Sequence, residues 1–229
     1  MKKRDLMTKA EKLVLLRNAL FLENGGERDV TEVLAPAFKT FAKNGVNAAI
    51  EFTHGEALVG DELNDLLTLA EEFAEAAEVE AGREYVAEDK EEHLTEDAAR
   101  FLIAREIVPE GTAEEEEGEE ASGSSVSFSL GGGGGGGTAK GKLLGFAHFR
   151  FTLHGELADV MEGLPCLFVY DVHVVPEARR KGLGKHLMTM LELIGRRAGV
   201  SEMVVSVPNS PETGAAAAAF LEHGPKHWA

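Results

Sequence analysis

Apolar residues recur along the chain with two spacings, one typical of helices and one typical of strands. Leu13, Leu16 and Leu20 lie three or four residues apart, with basic residues between them, and a later apolar stripe of the same kind ends at Gly199. The helical spacing predicts helices at residues 1–23, 31–43, 61–81, 183–199 and 214–221. Runs rich in β-branched and aromatic residues predict strands at residues 46–53, 100–105, 143–153, 166–175 and 202–207.

A long polar segment interrupts this pattern between two of the predicted strands. It contains four consecutive glutamates at 114–117 and seven consecutive glycines at 131–137. Such a tract has too little apolar surface to repay the entropy lost on ordering, which predicts a disordered insertion. We therefore divide the chain into a basic helical extension (1–25), the first half of a domain (26–108), the insertion (109–140) and the second half of the domain (141–229).

The charge of the chain is strongly negative and unevenly distributed. The formal net charge is −17, and residues 71–120 hold 20 acidic and 4 basic residues. An acidic middle argues against nucleic acid as the main ligand and would attract a cationic polypeptide. The alternative is that these carboxylates only form a solvated surface.

Several other features restrict the class of protein. The one cysteine, Cys166, allows no internal disulfide, which is typical of a reducing compartment. No apolar run approaches the ~20 residues of a membrane helix, and the first residues lack the apolar segment of a secretory signal. No cysteine–histidine spacing indicates a metal site. We expect no membrane association and no metal.

The stretch VYDVHVVPEARRKGLGKHL, residues 169–187, carries the clearest candidate chemistry. Arg179 begins an R-x-x-G-x-G pattern that follows a predicted strand and opens a predicted helix. Glycines let backbone N–H groups approach a ligand, and the start of a helix favours an anion. The pattern is neither the P-loop nor the dinucleotide-binding motif. The remaining nucleotide with a pyrophosphate and a further phosphate is coenzyme A.

This stretch resembles the acetyl-CoA-binding motif of GNAT acetyltransferases. Three further segments resemble, in the same order, the NatD group of histone N-terminal acetyltransferases within that family: FKTFAKNGVNAAIEF at 38–52, EDKEEHLTEDAARFLIA at 88–104 and GFAHFRF at 145–151. The resemblance implies an α/β GNAT acyl-CoA N-acyltransferase fold, with a mixed central sheet flanked by helices. The chain ends at Ala229, so the final strands of that fold are expected to be missing.

The resemblance also implies where acetyl-CoA, the expected co-substrate, binds. The strand before the turn would contact the pantetheine arm, and the turn would hold the pyrophosphate. A family asparagine before the last helix has an uncertain match in Asn209, which is offset in register. The implied cofactor-binding residues are Val172, His173, Val174, Arg179, Arg180, Lys181, Gly182, Leu183, Gly184, Lys185 and Asn209.

The implied catalytic residues are Tyr170 and Asp171. NatD-type enzymes carry a glutamate directly after a tyrosine here, and the shorter Asp171 is the candidate base, acting directly or through water. Asp171 has an alternative role as an anchor for the substrate amine. His148 is an alternative base that we interpret as structural, and Cys166 is interpreted as a core residue. The implied substrate-binding residues are Tyr170, Asp171, Ser206 and Tyr85.

The expected function is transfer of acetyl to the N-terminal amine of histones beginning Ser-Gly-Arg-Gly, by a monomer in the cytoplasm and nucleus. Histone tails are the expected partners, without direct contact to nucleic acid. Two alternatives stay open. One is a GNAT enzyme that acetylates a lysine or a small amine, and the other is a catalytically decayed acidic protein that binds histones.

Overall fold

The structure, a computed structural model, describes most of the two predicted domain halves. The described residues are 8–19, 22–23, 26–27, 29–80, 86–107, 141–154, 164–200 and 202–207. The predicted insertion at 109–140 and the predicted helix at 214–221 lie outside them, as do Tyr85 and Asn209.

Four α-helices and eight strands make up most of the regular structure of the described residues. The helices are α1 Lys9–Ala19, α2 Asp61–Glu80, α3 Ala87–Thr95 and α4 Leu183–Ala198. The strands are β1 Leu22–Glu23, β2 Gly26–Glu27, β3 Thr40–Lys43, β4 Val46–His54, β5 Arg100–Glu106, β6 Leu143–His154, β7 Leu164–Val174 and β8 Glu202–Val205. The predicted strands agree with β4 to β8 to within two residues at each end.

Strands β3 to β8 form one six-stranded sheet in chain order, and β1 and β2 form a separate two-stranded pair. Neighbouring strands from β3 to β7 are antiparallel, whereas β8 lies parallel to β7 after the crossover helix α4. The sheet is therefore mixed. Among the described strands, its one parallel pair, β7 and β8, lies at an edge of the sheet, and the predicted phosphate-binding turn lies between these two strands in the chain.

Two apolar cores cover the two faces of the sheet. On one face, α4 buries Leu187, Met190 and Leu191 against strand residues such as Val169, and Leu15 and Leu16 of α1 pack beside them. The other core holds Leu58 and Ala99 of connecting segments together with residues of α2, α3, β5 and β6: Leu66, Leu69, Ala70, Leu94, Phe101, Ile103, Leu143 and Phe146. Among the described residues, no helix is long and apolar enough to cross a membrane.

The prediction of a helix at residues 31–43 is wrong. That segment forms two short 3-10 turns, Val30–Val33 and Pro36–Lys39, followed by β3. Pro36 holds the preceding residue in an extended conformation. Asn44 and Gly45 both have positive φ, 53° and 74°, which is the geometry of a tight hairpin turn and pairs β3 with β4. Local turn chemistry therefore overrode the apolar spacing.

Helix α3 is an element that the sequence pattern did not predict. Its nine residues, AEDKEEHLT, include one buried apolar residue, Leu94. A helix with one apolar anchor shows no amphipathic period, so spacing alone gives no signal. The omission matters because α3 carries charged side chains that reach β7.

Candidate active site

The sheet opens along one half of β7. Strand β7 pairs with β6 along its length, but it pairs with β8 only from Cys166 to Val169. The last hydrogen bond between the two runs from the Ser206 amide to the Val169 carbonyl, at 2.8 Å. From Tyr170 to Val174, this edge of β7 has no strand partner among the described residues. An open edge of extended backbone can accept a ligand as an added strand.

A β-bulge lies where the opening begins. Phe149 of β6 pairs with Val169, whereas the adjacent His148 pairs with Asp171. Tyr170 is therefore the extra residue on β7. Beyond the bulge, Asp171 lies within reach of His148 on β6, and the Tyr170 ring stacks on His148, with 5.0 Å between the ring centroids. A bulge re-aims side chains locally, and here it gathers two consecutive residues on one face of the sheet.

The predicted phosphate-binding turn connects the open end of β7 to α4. Arg180 and Gly182 adopt positive φ, 61° and 102°, and Gly182 caps α4 without a side-chain hydrogen bond. The first amides of an α-helix have no partner within the helix, so those of Leu183, Gly184 and Lys185 remain available to an anion. The turn thus combines the backbone shape and the helix end that the sequence predicted.

The charged residues of the turn are not equivalent. Arg179 donates a hydrogen bond from Nε to the Val174 carbonyl at 2.9 Å, and its guanidinium lies 4.5 Å from the centre of the Phe73 ring. Arg179 therefore ties the turn to β7 and α2. Arg180 and Lys185 are exposed and Lys181 is half-buried, so these three cations lie at the surface of the turn.

The β3–β4 hairpin braces the turn from the other side. Asn44, at the tip of the hairpin, donates from Nδ2 to the Lys181 carbonyl at 2.9 Å. His186, one turn into α4, donates from Nε2 to the Phe38 carbonyl at 2.8 Å. The Phe41 ring contacts the same histidine, with the ring centroids 5.3 Å apart. These contacts join segments that are distant in the chain, so the local sequence pattern does not predict them.

Asp171 is the centre of a cluster of polar side chains beyond the bulge. Its Oδ2 lies 2.7 Å from Lys90 Nζ and 3.3 Å from His148 Nδ1, and its Oδ1 lies 3.3 Å from His173 Nε2. The Asp171 side chain is only 15% exposed and that of Lys90 14%. A mostly buried carboxylate thus has three nitrogen neighbours, from α3, β6 and β7.

Further contacts attach α3 to the strands. Arg150 of β6 bonds to Glu96 and donates to the His93 carbonyl at 2.9 Å. The same guanidinium lies 4.8 Å from the centre of the Tyr170 ring, and His93 meets that ring edge-on, at 4.7 Å between centroids. Because α3 was not predicted, Lys90 and His93 were missed as residues of the site.

The environment of the cluster shifts several pKa values. Burial of Asp171 raises its pKa, but the neighbouring His148 and His173 and the Lys90 ammonium outweigh burial and hold the pKa of Asp171 well below its ordinary value. Burial lowers the pKa of His148 to about 4. His148 is therefore neutral near pH 7, and its Nδ1 carries the proton, since the carboxylate can only accept. Asp171 is the ionised member of the cluster.

We expect His148 to make folding sensitive to mild acid. The histidine titrates near 6.5 when unfolded and near 4 when folded, so the unfolded state binds the extra proton between these values. The contribution of His148 to the free energy of unfolding should be fully present above pH 6.5. It should fall by on the order of 3 kcal/mol as the pH drops towards 4. Burial also lowers the pKa of His93, which acts in the same direction.

Urea unfolding at several pH values between 7 and 4 measures this effect. His148→Gln should flatten the decline in the free energy of unfolding. Ile50→Val, a substitution in the buried core with no titrating group, should keep the full decline. An equally steep decline in His148→Gln would assign the acid sensitivity to other groups.

The structure places the remaining predicted site residues unevenly. Val172 and Val174 pack partly against the α4-side core, and His173 packs against Phe73, with the ring centroids 4.8 Å apart. Ser206 is exposed just beyond β8.

Cys166 is buried, as expected, and burial raises its pKa to about 12, so its thiol is not a nucleophile near neutral pH. Among the described residues, no cluster of three or more potential ligands could hold a metal ion.

Comparison with known proteins gives a family match and several similar structures. Residues 66–224 match the model of the acetyltransferase (GNAT) family. A ribosomal-protein-alanine N-acetyltransferase from Brucella melitensis is 19% identical, with a TM-score of 0.44, over 80% of this chain and 95% of that one. The aminoglycoside N-acetyltransferase AAC(6')-Iy in complex with CoA is 17% identical, with a TM-score of 0.45, over 82% of this chain and 95% of that one.

Proposed function

The chain belongs to the acetyltransferase (GNAT) family and is an acetyl-CoA-dependent acetyltransferase, and we propose that it acetylates the N-terminal amine of histones beginning Ser-Gly-Arg-Gly. The observation that carries this proposal is the position of Asp171. Its carboxylate lies just beyond the bulge, beside the open edge of β7. An acceptor amine brought to this point would meet a carboxylate able to bind its ammonium form or to accept its proton.

The residues present fit acetyl-CoA. The open edge of β7, residues 170–174, can pair with the amide groups of a pantetheine arm, and the amide N–H groups that begin α4 can donate hydrogen bonds to phosphate oxygens. Arg180, Lys181 and Lys185 add positive charge at the same turn. Acetyl-CoA supplies the activated thioester carbonyl. The residues of this chain would then hold the acceptor amine near Asp171.

The charge around α3 favours a basic acceptor. Glu88, Asp89, Glu91 and Glu92 are exposed on the helix that also carries Lys90 and His93 into the site. Such a surface attracts a cationic tail and can pair with its arginine. The proposal includes histone tails as partners and a monomer acting in the cytoplasm and nucleus, the compartments in which histones occur.

Acetyl transfer to matched peptides tests the acceptor. A peptide beginning Ser-Gly-Arg-Gly with a free N-terminus should be acetylated once, at that amine. A copy with a blocked N-terminus and the same lysines should remain unmodified. A third peptide with alanine in place of the arginine should need a higher concentration for half-maximal rate, because the acidic residues of α3 lose their partner.

Other outcomes would replace the proposal. Equal acetylation of the blocked peptide would assign the activity to lysine. Inactivity towards all three peptides, together with acetylation of small amines, would remove the histone acceptor and keep the acetyltransferase. Failure to bind acetyl-CoA in a calorimetric titration would favour a decayed protein that only binds histones.

A further inference from the structure

Lys90 places a primary amine at the position proposed for the acceptor. Its Nζ lies 2.7 Å from Asp171 Oδ2, at the end of a side chain that is 14% exposed. Helix α3 holds it there, because Arg150 of β6 binds the His93 carbonyl on this helix and Glu96 directly after it. The amine is therefore positioned by the fold and is not a surface group that reaches the carboxylate by chance.

The Lys90 amine also lies near the open edge of β7, because Asp171 belongs to that edge. Asp171 follows the bulge at Tyr170 and belongs to the open edge of β7, where the acetyl group of the donor would lie. An external acceptor must bring its amine to this same carboxylate. In the absence of such an acceptor, Lys90 presents its own amine to Asp171, 2.7 Å from Oδ2.

We propose that Lys90 is a self-acetylation site, modified within one chain by the acetyl-CoA bound to that chain. The Lys90 nitrogen forms a bond to the thioester carbonyl carbon, and the carbon–sulfur bond breaks. The lysine ammonium loses two protons in the process: one passes through Asp171 to solvent, and the other ends on the sulfur of the departing coenzyme A. The inference uses the acetyl-CoA dependence of the family and needs no particular external acceptor.

The reaction is expected to be slow and to occur once per chain. A lysine amine has an ordinary pKa near 10.4 and an N-terminal amine near 8, so the neutral fraction of lysine is about 10²-fold smaller at neutral pH. Acetylation removes the positive charge of Lys90 and with it the ion pair to Asp171. In the modified chain, Asp171 keeps its two histidine neighbours but no longer pairs with an ammonium group.

Labelling of the whole protein without an acceptor tests this inference. The purified chain is incubated with deuterium-labelled acetyl-CoA, digested and analysed by mass spectrometry. Labelled acetyl should accumulate at Lys90 towards one per chain, with a first-order rate that does not depend on protein concentration. Exposed Lys142, whose partner is Glu177 at the surface, reports non-enzymatic acetylation and should be labelled at least tenfold more slowly.

Two variants separate self-acetylation from chemical background. Lys90→Arg keeps a positive charge for Asp171 and removes the acceptor, so the label at this position should disappear without a rise elsewhere. Gly184→Trp, which alters the predicted phosphate-binding turn, should reduce labelling at Lys90 and leave that at Lys142 unchanged.

Each outcome decides the proposal. Equal labelling of Lys90 and Lys142, or a rate that increases with protein concentration, would overturn it. The same preparation is assayed with the Ser-Gly-Arg-Gly peptide: peptide acetylation without label at Lys90 overturns self-acetylation alone. Label at Lys90 without peptide acetylation supports self-acetylation and contradicts the histone acceptor.

Discussion

Replacing Asp171 by asparagine should lower the turnover of acetyl transfer by about 10²–10⁴-fold, the usual contribution of a general base. The substitution keeps the shape of the side chain and removes the charge that faces Lys90, His148 and His173. Because Asp171 lies on β7 and outside the predicted phosphate-binding turn, the affinity for acetyl-CoA should change little. Steady-state kinetics and calorimetric titration with acetyl-CoA measure the two quantities.

Two further variants define the role of Asp171. Asp171→Glu introduces a carboxylate one methylene longer at the same position and should keep or raise the rate. Asp65→Asn removes a half-exposed carboxylate 3.5 Å from Arg105, outside the site, and should behave like the wild type. Unaltered turnover in Asp171→Asn would leave the family assignment intact and exclude Asp171 from catalysis. An effect confined to the Michaelis constant of the acceptor would make Asp171 an amine anchor.

Replacing Gly184 by tryptophan should weaken acetyl-CoA binding by about 100-fold or more. Gly184 is the second residue of α4, in the turn of helix whose amides have no partner within the helix. A large side chain at this point would take the space that a pyrophosphate needs to reach those amides. Calorimetric titration measures the affinity, and circular dichroism checks that the fold is retained.

Arg197→Trp is the matched control for this variant. It introduces the same side chain at an exposed position in the last turn of α4, far from the phosphate-binding turn along the helix. Its affinity for acetyl-CoA should equal that of the wild type. Wild-type affinity in Gly184→Trp would show that the cofactor binds elsewhere on the chain.

The sequence predicted those parts of the fold in which local pattern and tertiary packing agree. Strands β4 to β8 are rich in β-branched and aromatic residues, and α4 has an apolar stripe that the sheet buries and a glycine that ends the helix. The backbone shape of the predicted phosphate-binding turn was also predictable, because glycine positions and a helix start are local properties. The segment at 31–43 failed because its apolar residues follow a helical spacing while Pro36 and the Asn44–Gly45 turn enforce a hairpin.

Only some residues of the candidate site could be predicted from the sequence. Tyr170 and Asp171 came from the resemblance of a strand, but their geometry depends on a one-residue bulge against β6, which no single strand encodes. Lys90 and His93 were missed because α3 is held by Arg150 and by the anchor Leu94, not by an apolar period. Contacts between distant segments decide which polar residues become the site.

The brace between Asn44 and the Lys181 carbonyl has a consequence for the order of folding. Every antiparallel pair in the main sheet joins strands that are consecutive in the chain, so each closes a shorter loop than the brace does. The brace instead joins positions 137 residues apart and spans the sheet from its first hairpin to the start of α4. Non-local contacts of this kind form late, after the loops that bring them together have closed. During refolding, competence to bind acetyl-CoA should therefore be acquired after the sheet signal in circular dichroism has reached its final value.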